Sequence, residues 1–246
     1  MSKWRNFKLK TRSAYKKFMA PIGRAIGKTG ISPNGITMIA GVVAIAGGTM
    51  YALQGHVTSF KHWWAIGFVI MFIAGLIDVL DGSVARATGK TTKFGKVLDP
   101  VMDRFAEFCF LMGLAIGDYS FDFYRFDSIN TVPQWVSFIP VGAWCAFCFA
   151  GMMFASYSRA RGESVADITV ESVGIMERRE KLALIFLGNI LYIWFPIALI
   201  ISIVLVGILS FITTIQRMVF IRKEFIKMGN EEPEETLVEE NDNTNE

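Results

Sequence analysis

Six stretches of this chain are apolar enough to form spanning helices, and polar or charged segments separate all but the last two, which are short or closely joined. They run Pro33–Leu53, Trp63–Arg86, Gly95–Gly117, Gln134–Arg159, Lys181–Pro196 and Ile197–Ile221. About 20 apolar residues are what a helix needs to cross a hydrocarbon layer of roughly 30 Å. The pattern predicts an all-α integral membrane fold with six transmembrane helices. Asn189 and Pro196 make the boundary between the last two the weakest. Ser32-Pro33 reads as a cap followed by a first-turn proline. Before it, residues 3–28 interleave Trp4, Phe7, Tyr15, Phe18, Met19, Ile22 and Ile26 with nine Lys and Arg, many of the apolar positions three or four apart. That predicts an amphipathic interfacial helix on an anionic membrane surface, with bends at Pro21 and Gly23. A disordered basic tail is the alternative. The end of the chain, GNEEPEETLVEENDNTNE (229–246), is acidic, almost without apolar side chains and contains Pro233, which predicts a disordered tail. The expected organisation is a basic juxtamembrane segment (1–30), one six-helix domain (31–223) and the tail (224–246).

Hydrophobic residues make up 52% of the chain and mean hydropathy is +0.41, which excludes an ordinary soluble domain. The net charge of +3 says less than where the charges lie. Besides the nine at the start, four cations fall in 86–96, five in 159–181 and four in 217–227, while the opposite connections hold only Lys61 and Arg125. By the positive-inside rule both termini and the 86–96 and 159–181 loops are cytoplasmic in a multi-pass cell-membrane protein. No nucleic-acid partner is expected. Cys109, Cys145 and Cys148 all fall within spans. Cys145 and Cys148 form a CxxC with no second pair or nearby His, so they read as small packing residues. His56 and His62 belong to the outer side, with Trp63 and Trp64 as an interfacial belt, and are not catalytic candidates.

The exception to the apolar pattern is DVLDGSVARATGKTTKFGKVLDPVMD, Asp78–Asp103. Asp78 and Asp81 are three apart and share a helix face; Asp99 and Asp103 are four apart and share a face of the next. A tight helical hairpin brings the pairs together. Four adjacent carboxylates cannot all stay ionised without compensation. Mg²⁺ or Mn²⁺ suits hard oxygen ligands and also binds substrate phosphates. Gly82, Ala85 and Gly95 leave room for a bulky ligand. Spacing alone leaves three readings open: a metal-assisted phosphate enzyme, a divalent-cation transporter using the acids as a path, and structural pairing with Arg86 and Arg104.

The whole pattern reads D-x2-D-G-x2-A-R-x8-G-x3-D-x3-D, on Asp78, Asp81, Gly82, Ala85, Arg86, Gly95, Asp99 and Asp103. It resembles the signature of the CDP-alcohol phosphotransferases at every fixed position. The resemblance implies that a CDP-linked lipid, CDP-diacylglycerol or CDP-archaeol, gives its phosphatidyl-type group to an alcohol and releases CMP. It implies two Mg²⁺ or Mn²⁺ per site, one held by Asp78, Asp81 and Asp99 and a second by Asp99 and Asp103. Asp103 is then the catalytic base. Gly82, Ala85, Arg86 and Gly95 line the CMP portion, with Thr92 near its phosphates. Asn34 and Thr37, in SPNGIT, resemble nucleotide-side contacts. A homodimer is implied too.

SYSRAR and ERREK, in FASYSRARGES and GIMERREK, resemble segments of phosphatidylinositol-phosphate synthases, which take L-myo-inositol 1-phosphate. Ser156, Arg159 and Lys181 occupy the positions that hold the acceptor phosphate, with Arg178 as helper. Arg159 stands where Lys is usual, Lys181 for Arg and Arg179 for Pro, and the intervening loop is longer. So much positive charge suits a phosphorylated polyol better than a neutral alcohol. Glycerol 3-phosphate is the alternative acceptor. Topology enforcement alone is the plainer explanation of these cations. Thr213, Thr214, Gln216 and Arg217 are expected to border the acceptor pocket, with a positive-inside anchor as an equal explanation of Arg217. Glu107 orients a site group, pairs with Arg104 or lines a polar crevice.

Overall fold

The computed structural model describes residues 21–57, 62–117, 119, 140–166, 168–170, 173–195 and 197–229. Every regular element among them is helical. A short helical segment covers 21–27. Six longer helices follow: α1 (Pro33–Leu53), α2 (Trp63–Thr88), α3 (Gly95–Ile116), α4 (Val141–Ala166), α5 (Arg178–Leu191) and α6 (Ile197–Lys227). The chain divides into two compact units, Met1–Thr131 and Val132–Glu246, the first holding α1–α3 and the second α4–α6. Most of the basic segment, the 118–139 connection apart from Tyr119, and the acidic tail from 230 onward lie outside the described residues.

Within the described residues each of the six apolar stretches contains a helix, with shifts at the ends; residues 134–139 of the fourth stretch lie outside them. In α1 the Ser32 hydroxyl accepts a hydrogen bond from the Gly35 N–H at 3.1 Å, and Pro33 opens the first turn. α2 continues two residues past Arg86 and stops where Gly89 turns left-handed at φ +68°, which a side chain would resist. α5 begins at Arg178, three residues ahead of the apolar run. Glu177 and Glu180 form a reciprocal capping box there, which sets the start by hydrogen bonding. α6 runs on to Lys227 instead of stopping at Ile221. Four helices are long and apolar enough to cross a membrane: α1, α2, α4 and α6. α5, with 14 residues, is about 21 Å long at 1.5 Å per residue, short of a full crossing. α3 has the length but carries Asp99, Asp103, Arg104 and Glu107.

In the first unit α1 lies against both α2 and α3. The α1–α3 crossing is a backbone contact. A Cβ on Gly48 would meet the Cys109 carbonyl, and one on Gly113 would meet the Gly48 carbonyl. Tyr51, fully buried, meets Phe110 edge-on at 5.1 Å. His56 Nε2 lies 2.8 Å from the Ile116 carbonyl, a structural tie at the end away from the acids. Gly23 is no bend. A Cβ there would fall 2.7 Å from the Ser83 carbonyl, so the glycine lets the 21–27 segment lie directly on α2. In the second unit α4 and α5 both pack on α6. Cys145 and Cys148 are buried, and Cys148 Sγ lies 3.7 Å from Met152 Sδ, as packing residues should.

Candidate active site

The acids of the first unit converge. One carboxylate oxygen each from Asp78, Asp99 and Asp103 lies within 4.8 Å of the others. Asp103 is buried, Asp78 half-buried and Asp99 exposed. α2 presents Asp78 from its C-terminal half, nearly three turns before Thr88, and the first three turns of α3 present the other two. At that separation two ionised carboxylates repel by about 3 kcal/mol at an effective dielectric near 20. Solvent around Asp99 reduces its share. Three oxygen donors with surplus negative charge match a hard divalent cation such as Mg²⁺ or Mn²⁺, so the residues present fit a metal.

Asp81 is the fourth acid of the motif. It is buried, and its Oδ2 accepts a short hydrogen bond from the Thr37 hydroxyl, across from α1. Asp78 and Asp99 remain close enough to act on it electrostatically. Thr37 therefore supports an acid of the motif directly, a role its spacing could not reveal because 44 residues separate the two.

The glycines of the motif also find neighbours. A Cβ on Gly95 would lie 2.8 Å from Asn34 Oδ1 and 3.1 Å from Thr92 Oγ1. Asn34, Thr92 and Gly95 thus meet at one point, where α1, the 89–94 turn and α3 come together. The Thr92 hydroxyl accepts from the Gly95 N–H at 2.9 Å and ties down the start of α3. The Arg86 guanidinium folds back over Gly82, its Nη1 lying 3.2 Å from where a Cβ would be, and its Nη2 donates to the Ser83 hydroxyl at 3.2 Å. Ala85 is half-buried on the same helix. Arg104 pairs with the buried Glu107 through both carboxylate oxygens. The pairing reading of Glu107 is thus observed.

The basic candidates belong to the second unit. Ser156 and Arg159 share a face of α4, and Arg178 and Lys181 share a face of α5. The Ser156 hydroxyl donates to the Met152 carbonyl at 3.0 Å. Arg159 Nε reaches Glu163 at 3.0 Å, one turn on, and the same carboxylate oxygen accepts from the Val170 N–H at 3.3 Å. Lys181 is buried, only 5% exposed. Arg179 points elsewhere, to Glu177 at 3.1 Å. Thr213, Gln216 and Arg217 reach backbone: Met176 N–H to Thr213 Oγ1 at 3.4 Å, Ile175 N–H to Gln216 Oε1 at 2.9 Å, and Arg217 Nε to the Val173 carbonyl at 2.9 Å. Arg217 Nη1 also donates to the Ala155 carbonyl. Thr214 bonds back to the Ser210 carbonyl of its own helix at 2.9 Å.

The family model for CDP-alcohol phosphatidyltransferase matches residues 30–216, well over half of the chain. This chain belongs to that family. It is 32% identical over 220 residues to the archaetidylinositol phosphate synthase of Pyrococcus horikoshii, covering 89% of this chain and 98% of that protein. It is 30% identical to the phosphatidylinositol phosphate synthase of Streptomyces avermitilis, covering 87% of this chain and 81% of that one. The crystal structure of Mycobacterium tuberculosis phosphatidylinositol phosphate synthase with CDP-DAG bound superposes with a TM-score of 0.65 at 25% identity, covering 83% of this chain and 94% of that chain. The same mycobacterial protein in complex with manganese and citrate superposes at 0.64 and 24% identity, over 82% of this chain and 88% of that one, a likeness of fold. As a member of this family the chain is a multi-pass membrane transferase that moves a group from a CDP-linked lipid onto an alcohol. The cation-path reading of the acids gives way to this one.

Proposed function

We propose that this protein transfers the phosphatidyl-type group of a CDP-linked lipid to L-myo-inositol 1-phosphate and releases CMP. The observation that carries the reading is the convergence of Asp78, Asp99 and Asp103 within a motif whose remaining positions also find neighbours around it. The acceptor hydroxyl oxygen attacks the lipid-side phosphorus of the diphosphate. The bond from that phosphorus to the bridging oxygen breaks, and the oxygen leaves with CMP. Asp103, buried and within reach of the other two acids, takes the hydroxyl proton. Asp78, Asp81 and Asp99 would hold one divalent cation, and Asp99 with Asp103 a second. Such ions, when bound, offset the charge of the diphosphate. Thr37 fixes Asp81, while Gly82, Ala85, Arg86 and Gly95, with Asn34 and Thr92 beside Gly95, form the nucleotide side.

Ser156, Arg159, Arg178 and Lys181 hold the acceptor phosphate. Lys181 lies in the first turns of α5 with Arg178, and cationic side chains suit a phosphate ligand. Glu163 orients Arg159 along α4 without saturating its five donors. The names of the relatives support an inositol phosphate acceptor. The Lys and Arg distribution supports a cytoplasmic active site with both termini on that side, and six passes.

The test is CMP release by purified protein, with CDP-diacylglycerol and CDP-archaeol crossed against inositol 1-phosphate, glycerol 3-phosphate, free inositol and serine. Turnover with inositol 1-phosphate is expected, lost on chelation and restored by Mg²⁺ or Mn²⁺. Turnover restricted to glycerol 3-phosphate would replace the acceptor. Turnover unaffected by exhaustive chelation would remove the metals from the reading.

A further inference from the structure

The start of α5 is held from outside its own helix. The chain ahead of it, Val173 to Glu177, is gripped by one face of α6. Thr213, Gln216 and Arg217 are spaced i, i+3 and i+4, so their side chains project together. They take three backbone groups of the loop in order: the Val173 carbonyl by Arg217, the Ile175 N–H by Gln216 and the Met176 N–H by Thr213. Gly174 lies between them at φ +120°, and a Cβ there would run into Thr213 Cγ2. The loop is seated on α6 as closely as a backbone can be. One residue later the Glu177–Glu180 capping box closes the first turn of α5. Arg178 and Lys181 belong to that turn and the next. The Arg217 grip extends to the Ala155 carbonyl, the residue before Ser156.

The geometry points to Gln216 and Thr213 as positioning residues for acceptor binding. They touch neither substrate. They fix the loop that sets where Arg178 and Lys181 stand. This inference rests on the acceptor assignment above for its kinetic consequence, but the clamp itself is measurable without it. Two side chains of the last helix thereby become determinants of acceptor affinity and not of donor affinity or of the chemical step.

Gln216→Met keeps the length of the side chain and removes the oxygen that accepts from Ile175. Thr213→Val keeps the shape and removes the acceptor for Met176, and Thr213→Ser restores it. One hydrogen bond to a loop corresponds to about three- to ten-fold in an equilibrium. Gln216→Met is expected to raise the KM for inositol 1-phosphate by about that factor, with kcat and the KM for CDP-lipid within about two-fold of wild type. Thr213→Val should move the same parameter less, and Thr213→Ser should return it. Equal rises in acceptor and donor KM, no rise at all, or a Thr213→Ser variant that behaves as Thr213→Val would overturn the inference. Hydrogen exchange at the Ile175 and Met176 amides separates this from the acceptor assignment. Exchange should quicken by a similar factor in Gln216→Met whatever alcohol the wild type accepts, and unchanged protection refutes the clamp. If wild type uses only glycerol 3-phosphate, the acceptor identity falls and the same KM comparison on that substrate decides the clamp.

Discussion

Replacing Thr37 by Val is the sharpest probe of how the fold holds its acids. Thr and Val have nearly the same shape, so the substitution leaves the packing of α1 on α2 and removes one hydroxyl. That hydroxyl lies against Asp81 Oδ2 and 3.1 Å from the Pro33 carbonyl. Both Thr37 and Asp81 are buried, at 4% and 8% exposure, so water cannot readily take the place of the donor. A hydrogen bond to a charged group contributes about 1.5–3 kcal/mol. At 1.36 kcal/mol per factor of ten, that is roughly 10- to 150-fold in kcat/KM if the bond persists through the transition state. The loss should show in kcat/KM for the CDP-lipid, measured by CMP release at saturating acceptor. Thr37→Ser keeps the hydroxyl and should stay within a few-fold of wild type. A Thr37→Val enzyme with the activity of Thr37→Ser would mean that Asp81 needs no support from α1, and the placement of Asp81 argued here would be wrong.

Asp103→Asn should lower CMP release by at least about a hundredfold, the range of general-base catalysis, while a detergent melting curve stays close to wild type; turnover near wild type would end its role as base. Gly48→Val should destabilise the first unit by about 1–3 kcal/mol, seen as a lower melting temperature, because the new side chain meets the Cys109 carbonyl at the α1–α3 crossing; an unchanged melting temperature would show that the helices can separate at no cost. Arg159→Ala should raise the KM for the phosphorylated acceptor about ten-fold or more and leave the KM for CDP-lipid nearly unchanged, in line with a lost charge-assisted contact; acceptor dependence equal to wild type would take Arg159 out of the binding site.

The sequence exposed what local periodicity can carry. Apolar runs located all six long helices, because burial in lipid or protein leaves a continuous hydrophobic record. Helix ends set by polar contacts were displaced: the Glu177–Glu180 box moved the start of α5 upstream, and Gly89 rather than Arg86 ended α2. The pairing of Asp78 with Asp99 and Asp103 was readable from face-sharing spacings joined by a short turn. The tie between Thr37 and Asp81 was not, since no periodic rule links positions on different helices. Gly23 shows the same limit. Beside Pro21 it resembles a bend, and only the proximity of Ser83 discloses a contact. Spacing did put Thr213, Gln216 and Arg217 on one face, yet it could not say that the face held a loop.

What unites the buried charge in this chain is the kind of partner each group has. Arg217 is satisfied by carbonyls, Asp81 by a hydroxyl and Glu107 by Arg104. Each of these has its compensation inside the protein, as burial in a low-dielectric interior requires. Asp78, Asp99 and Asp103 follow another logic, with three like charges gathered where repulsion grows as they approach. Three converging oxygen donors suit a divalent cation, and the Asp81–Thr37 bond then has a purpose of its own. It keeps a fourth carboxylate anchored to α1 beside the three, so that the negative field of the motif stays fixed in place as charged ligands come and go.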